Sequence, residues 1–343
     1  MTVMTSAKPA QFEEYWAAVL AELEGLPIAP ELTEMPLRST DFGTVYGLHL
    51  TSIGPYRLFA YYCVPHGGGP FPVVYYLPRY GSVNHVPSYE ERQRSICVQL
   101  CHRGQRLADQ PFAAAYPGLL TTGIDDPQSY IYRGIVADCC RVVDFLLARP
   151  EVDKKRIALV GDDLALLTAA LRPTVDALYC APAIFYATQQ LAARTKGYPL
   201  EEINEYVRTY PEKAEQVWQT LAYFDLRHFA PQVQADTLLV TGNERDFLAP
   251  ALMQPLIAAL NNKTTPYVTA HSSYKDGVHQ EAWLRERYGY DGELRAFGDV
   301  VLAQVQVVAG EPGDEGGGQQ GSPVPGVLVI EGEELVALHV MLS

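Results

Sequence analysis

The chain has 343 residues, 48% of them hydrophobic, and a net charge of −14 from 40 acidic against 26 basic side chains. That length and apolar content suit one large α/β domain with an appendage, and the acidic balance argues against nucleic acid or an anionic membrane surface as partner. No run of about eighteen apolar residues occurs and the N-terminus lacks an apolar core, so a soluble, non-exported, cytoplasmic protein is expected.

The predicted elements open with an amphipathic helix over 10–26, with Phe12, Trp16, Val19, Leu20 and Leu23 on one face and Gly25 and Pro27 at its end. Two strand runs, 44–53 and 56–64, flank Gly54-Pro55 and read as an antiparallel hairpin. Gly67-Gly68-Gly69 has no lysine or helix behind it, so it reads as a turn and not as a phosphate loop. A buried strand over 72–77 ends in Arg79-Tyr80-Gly81, and another over 96–101 ends in His102-Arg103-Gly104-Gln105. A long helix follows over 132–149. Strands at 157–160, 177–181, 237–241 and 267–270 then alternate with helices at 250–261 and 280–288 and a helical insert at about 184–230. This alternation predicts a mainly parallel sheet with helices on both faces, filling residues 1–290. Residues 310–326 have a Gly/Pro-rich linker composition, and the last residues read as two short strands, so 291–343 form a linker and a β-like tail. The six cysteines lie mostly in apolar runs without metal or disulfide spacing and read as reduced core residues. No cofactor and no metal site are expected.

The stretch with the most chemical content is R-I-A-L-V-G-D-D-L-A-L-L-T-A-A-L, residues 156–171. An apolar strand, a break at Gly161 and a helix-forming segment make the geometry of a nucleophile elbow, where the reactive residue sits in a strained turn between two small neighbours. Gly161 and Ala165 are those neighbours, and Asp163 stands between them where a serine is expected. The same residues also fit a plain junction whose helix start is stabilised by Asp162 and Asp163. In the chain order that such a hydrolase requires, the candidates are Asp163, Asp246 and His279. Asp246 either orients a histidine or caps the next helix, and His279 is either a base or a surface histidine at a helix start.

Several collinear stretches carry a resemblance: F-E-E-Y-W at 12–16, R-Y-G at 79–81, R-G-Q at 103–105, G-I-D-D-P-Q-S-Y-I-Y-R-G at 123–134, R-P-E-V-D-K-K-R-I at 149–157, L-A-Y-F-D at 221–225 and the histidine loop around 279. Over about residues 10–290 the chain resembles the acetyl xylan esterase and cephalosporin C deacetylase family. The resemblance implies an α/β-hydrolase fold, a serine esterase acting on small acetylated sugars, and a homo-oligomer. It also assigns Tyr80 and Gln105 to the oxyanion hole and Asp246 and His279 to the triad acid and base.

The departures gather where the chemistry belongs. Besides Asp163, the glycine cluster after the nucleophile reads Leu164-Ala165-Leu166, the residue after Gln105 is Arg106, and Cys101 replaces an expected aspartate. Asp163 has no hydroxyl proton to surrender, and its attack on an ester would make a mixed anhydride. The reading is therefore a family member without ordinary serine-esterase activity that binds a small ligand or serves a structural role. The alternatives are a deacetylase of altered mechanism, in which His279 activates water, and an Asp-nucleophile hydrolase acting at an alkyl carbon.

Overall fold

The computed structural model describes residues 7–289, apart from 82–83, 244–245, 247 and 261–262; the expected linker and tail over 291–343 lie outside the described residues. Its framework is a nine-stranded sheet in the order β1-β2-β3-β5-β4-β6-β7-β8-β9. The strands are β1 (Glu31–Glu34), β2 (Gly43–Ser52), β3 (Tyr56–Pro65), β4 (Phe71–Tyr76), β5 (Ile96–Leu100), β6 (Val152–Gly161), β7 (Ala177–Cys180), β8 (Asp236–Thr241) and β9 (Thr264–Val268). β2 and β3 form the expected antiparallel hairpin, in register from Gly43 opposite Pro65 to Ser52 opposite Tyr56. From β5 to β9 every neighbouring pair is parallel. β1 was not anticipated, since E-L-T-E has too little apolar content to signal a strand; it is added antiparallel along β2.

The helices are α1 (Phe12–Glu24), α2 (Ile131–Leu147), α3 (Asp163–Leu171), α4 (Thr188–Ala192), α5 (Leu200–Thr209), α6 (Ala214–Ala222), α7 (Leu226–Phe229), α8 (Pro250–Ala259) and α9 (Ser273–Tyr288). The insert after β7 is thus four short helices, α4 to α7. α1 is fastened to it, because the Trp16 indole N–H donates to the Tyr223 carbonyl at 2.9 Å and Phe12 stacks edge-on against Phe229. α3 is buried along nearly its whole length, which explains why L-A-L-L-T-A-A-L has no polar face. Gly161 lets the helix close on the sheet, since a Cβ there would lie 3.2 Å from the Cβ of Leu77 and 3.4 Å from that of Ala165.

β9 closes one edge of the sheet. Lys263 and Thr269 bond to β8 through Thr237 and Thr241, at 2.8 and 2.9 Å, so the alternation turns Pro266 away from β8. A proline there has no N–H to offer a further strand, and the edge is blunted against strand addition. Among the described residues, no helix is long and apolar enough to cross a membrane.

Candidate active site

The elbow region departs from the expected strained turn. Asp162 is the N-cap of α3 and its carboxylate accepts from the Leu164 N–H at 3.3 Å, while Asp163 begins the helix. The non-glycine residues of left-handed backbone among the described ones are Ala29, Arg106, Ala187 and His271, so residue 163 is not held in such a conformation. Its side chain is 1% exposed. One carboxylate oxygen accepts the Ala183 and Ile184 N–H groups, both at 2.9 Å, and the other accepts the Phe185 N–H at 2.8 Å. The carboxylate is consumed by the loop that follows β7. Strand, turn and helix are as the sequence predicts, but the strain is absent because nothing has to be presented outward.

Two adjacent carboxyls are buried here. Burial pushes the Asp163 carboxyl above the ordinary range despite its three amide donors, and burial together with the charge of Asp163 pushes Asp162 up to about 7. With one amide donor against three, Asp162 is the partner that keeps a proton and Asp163 the one that carries charge. The sign of the linkage follows. Between about pH 4 and pH 7 the native state holds a proton that the unfolded chain has released, so the native state loses stability as pH rises through that window. Asp162→Asn keeps the capping oxygen and removes the titration. It is expected to melt like the parent near pH 4 and to be about 2 kcal/mol more stable at pH 8; parallel melting curves at both pH values would contradict this assignment.

Asp246 follows β8, and its carboxylate accepts the Asn243 N–H at 2.6 Å and lies 2.8 Å from the Nε2 atom of His271. The expected pairing of Asp246 with His279 is therefore corrected: the histidine brought to Asp246 is His271. His279 lies within α9 with its ring stacked on Tyr267 at a centroid distance of 3.9 Å. The reason is a shift in both flanking elements, since β9 runs over Thr264–Val268 and α9 starts at Ser273, earlier than the pattern suggested. Ser272 was the overlooked signal, an N-cap whose hydroxyl accepts the Lys275 N–H at 3.3 Å. A histidine immediately before such a cap and just after a strand occupies the strand-end position.

Asp276 builds the loop that carries His271. It accepts from the Tyr267 and Thr269 hydroxyls, each at 2.7 Å, and from the Ala270 and Ser272 N–H groups at 2.8 and 3.2 Å. Burial works to raise its carboxyl, but these donors prevail and hold it at about 2. His271 itself is exposed, and its backbone is left-handed with φ 50°. Among the described residues, no hydrogen bond joins His271 to Asp163.

Tyr80 and Gln105 lie beyond the ends of β4 and β5. The Tyr80 hydroxyl donates to Glu202 on α5, and Glu202 also accepts the Gly118 N–H at 2.8 Å and the Thr121 N–H at 3.2 Å. Glu202 is 4% exposed and so ties the insert to both loops. The Gln105 side-chain oxygen accepts from Asn84 at 3.2 Å and from the His102 N–H at 3.3 Å, which fixes it within its own loop. His102 is fully buried with neither ring nitrogen hydrogen-bonded, and burial pushes it down to about 4, so the ring is neutral at physiological pH. Among the described residues, no group of three or more His, Cys, Asp or Glu side chains is arranged to hold a metal ion.

A mostly parallel sheet, a strand-to-helix turn at its centre and an Asp–His pair at the ends of its last two strands define an α/β-hydrolase. Residues 3–282 match the acetyl xylan esterase family model, and the chain belongs to that family. It is similar to an acetyl esterase of Xylanibacter ruminicola, 25% identical over an alignment of 305 residues, with coverage of 81% of this chain and 67% of the relative. Among solved structures, it is similar to the acetyl xylan esterase from a Paenibacillus species, with a TM-score of 0.71, 25% identity, and coverage of 84% of this chain and 97% of that one. An acetyl xylan esterase from a Thermoanaerobacterium species shares the fold, with a TM-score of 0.71, 21% identity, and coverage of 84% and 96%.

Proposed function

We propose that this chain is a member of its family that has given up serine-type acyl transfer and keeps the cleft to bind a small ligand, of the acetylated-sugar class, in a structural or regulatory role. The observation that carries this reading is the coordination of Asp163. An attacking group must be free to approach a carbonyl carbon and must be activated by a base. The Asp163 carboxylate instead spends both oxygens on the amides of residues 183–185 and makes no hydrogen bond to His271. The same coordination argues against attack by Asp163 at an alkyl carbon. The cytoplasmic setting expected from six unpaired, buried cysteines and assembly into a homo-oligomer belong to the same reading.

Purified full-length protein should hydrolyse p-nitrophenyl acetate and acetylated xylo-oligosaccharides no faster than Asp163→Ala, and a serine-directed inhibitor should change nothing. Turnover about tenfold or more above that variant, or loss of turnover on inhibition, would defeat the proposal. A second reading has its own support in the retained Asp246–His271 pair, which could activate water directly. It requires slow hydrolysis that disappears in His271→Ala and persists in His279→Ala.

A further inference from the structure

A groove of about 650 Å³ lies away from the elbow, between one face of α9 and the N-terminal ends of β7, β8 and β9. Its walls are set by an ion-pair junction. Arg287 bonds Asp176 at 2.9 Å and Asp236 at 2.6 Å, and the Tyr288 hydroxyl donates to Asp176 at 3.0 Å. One guanidinium is thus shared by two carboxylates, and this junction fixes the floor.

Of the other polar lining residues, Arg156 is paired with Asp153 at 2.6 Å and the Thr237 hydroxyl donates to the Ala235 carbonyl at 3.0 Å, while five are uncommitted. Lys263, Thr265, His279, Trp283 and Glu286 all line it, and among the described residues none of their side chains makes a hydrogen bond or ion pair. They present an ammonium donor, a hydroxyl of either sense, an imidazole, an indole N–H and a carboxylate acceptor. Over the whole lining the formal charges balance, with Arg156, Lys263 and Arg287 against Asp176, Asp236 and Glu286. A charged ligand would therefore find no net complement here, whereas a neutral ligand with many hydroxyls finds donors, acceptors and an aromatic surface together.

From this set we propose that the groove is a second binding site for a neutral oligosaccharide, with Trp283 as its aromatic wall and Lys263 and Glu286 as its hydrogen-bonding rim. The site is independent of the esterase question, because none of these residues belongs to the Asp246–His271 pair or the elbow. His279, which the sequence suggests as a base, acquires a role here as a lining residue held flat by Tyr267.

The test is isothermal titration of the full-length chain with xylotetraose and, separately, cellotetraose, followed by intrinsic tryptophan fluorescence. Saturable binding is expected, weakened about tenfold or more by Trp283→Ala and about threefold by Lys263→Met. Lys263 is exposed and unpaired, so Lys263→Met should leave the melting temperature unchanged and serves where Trp283→Ala folds poorly. His271→Ala should bind as the parent does. Absence of binding at about 10 mM sugar, equal affinity in the Lys263 and Trp283 variants, or loss of binding in His271→Ala instead would each overturn the proposal.

Discussion

Asp163→Ala should lower the stability of the folded chain by about 3 kcal/mol, seen as a fall in melting temperature of roughly 8 °C. The reason is the three N–H groups of residues 183–185, which converge on one buried carboxylate and have no alternative acceptor once it is removed. Each stranded donor carries a desolvation cost, reduced where water can follow the side chain into the gap beside Ala183. The conservative variants sharpen the expectation. Asp163→Asn keeps one acceptor oxygen but sets an amide NH2 against a backbone N–H, so it should recover only part of the loss. Asp163→Ser offers one oxygen on a shorter side chain, from a backbone that is not in the outward-presenting conformation. It should be nearly as unstable as alanine and should not hydrolyse acetate esters. A stable Asp163→Ala, within about 0.5 kcal/mol of the parent, would show that the residue is not the staple described.

What the sequence disclosed and what it hid divide along a physical line. Strand and helix positions were legible over most of residues 12–260, because apolar period and glycine breaks report burial directly. The stretches that carried the family resemblance are mostly structural: Trp16 and Phe224, from two of them, meet edge-on at 5.3 Å, and Gly134 from a third lies under Arg103 from a fourth. Residue 163 was legible as an identity but not as a geometry. Whether its carboxylate faced a cleft or a loop depended on amides twenty residues later, which no local pattern reveals. The histidine was misplaced for a different reason: β9 is half exposed with pattern i-e-e-i-e and contains Pro266, so its signal was weak and its end was set too late. With the strand end displaced, His279 fell into the slot that His271 occupies.

The second large effect lies in a buried ion pair. Arg103, 8% exposed, and Asp138, 2% exposed, form a two-pronged pair, with Nε to Oδ2 and one terminal nitrogen to Oδ1 both at 2.6 Å. The same terminal nitrogen donates to the Ile53 carbonyl at 3.1 Å, and the guanidinium lies 4.8 Å from the Tyr56 ring centroid. The pair thus pins α2, the hairpin turn and the 102–105 loop together. Asp138→Ala leaves a guanidinium buried without its counter-charge and should cost about 4 kcal/mol. Gly134→Ala should act through the same side chain, since its Cβ would lie 2.5 Å from the Arg103 Cζ atom, and the two losses should therefore not add. Exchanging both charges at once, in Arg103→Met with Asp138→Leu, removes the uncompensated ion as well as the attraction and should restore most of the stability lost in Asp138→Ala. If the double exchange is as unstable as Asp138→Ala alone, the cost comes from lost shape and hydrogen bonds to Ile53, and not from a stranded charge. Chemical denaturation of the single and double variants at one pH separates these outcomes, because the stranded-charge account requires the second substitution to be stabilising in the background of the first.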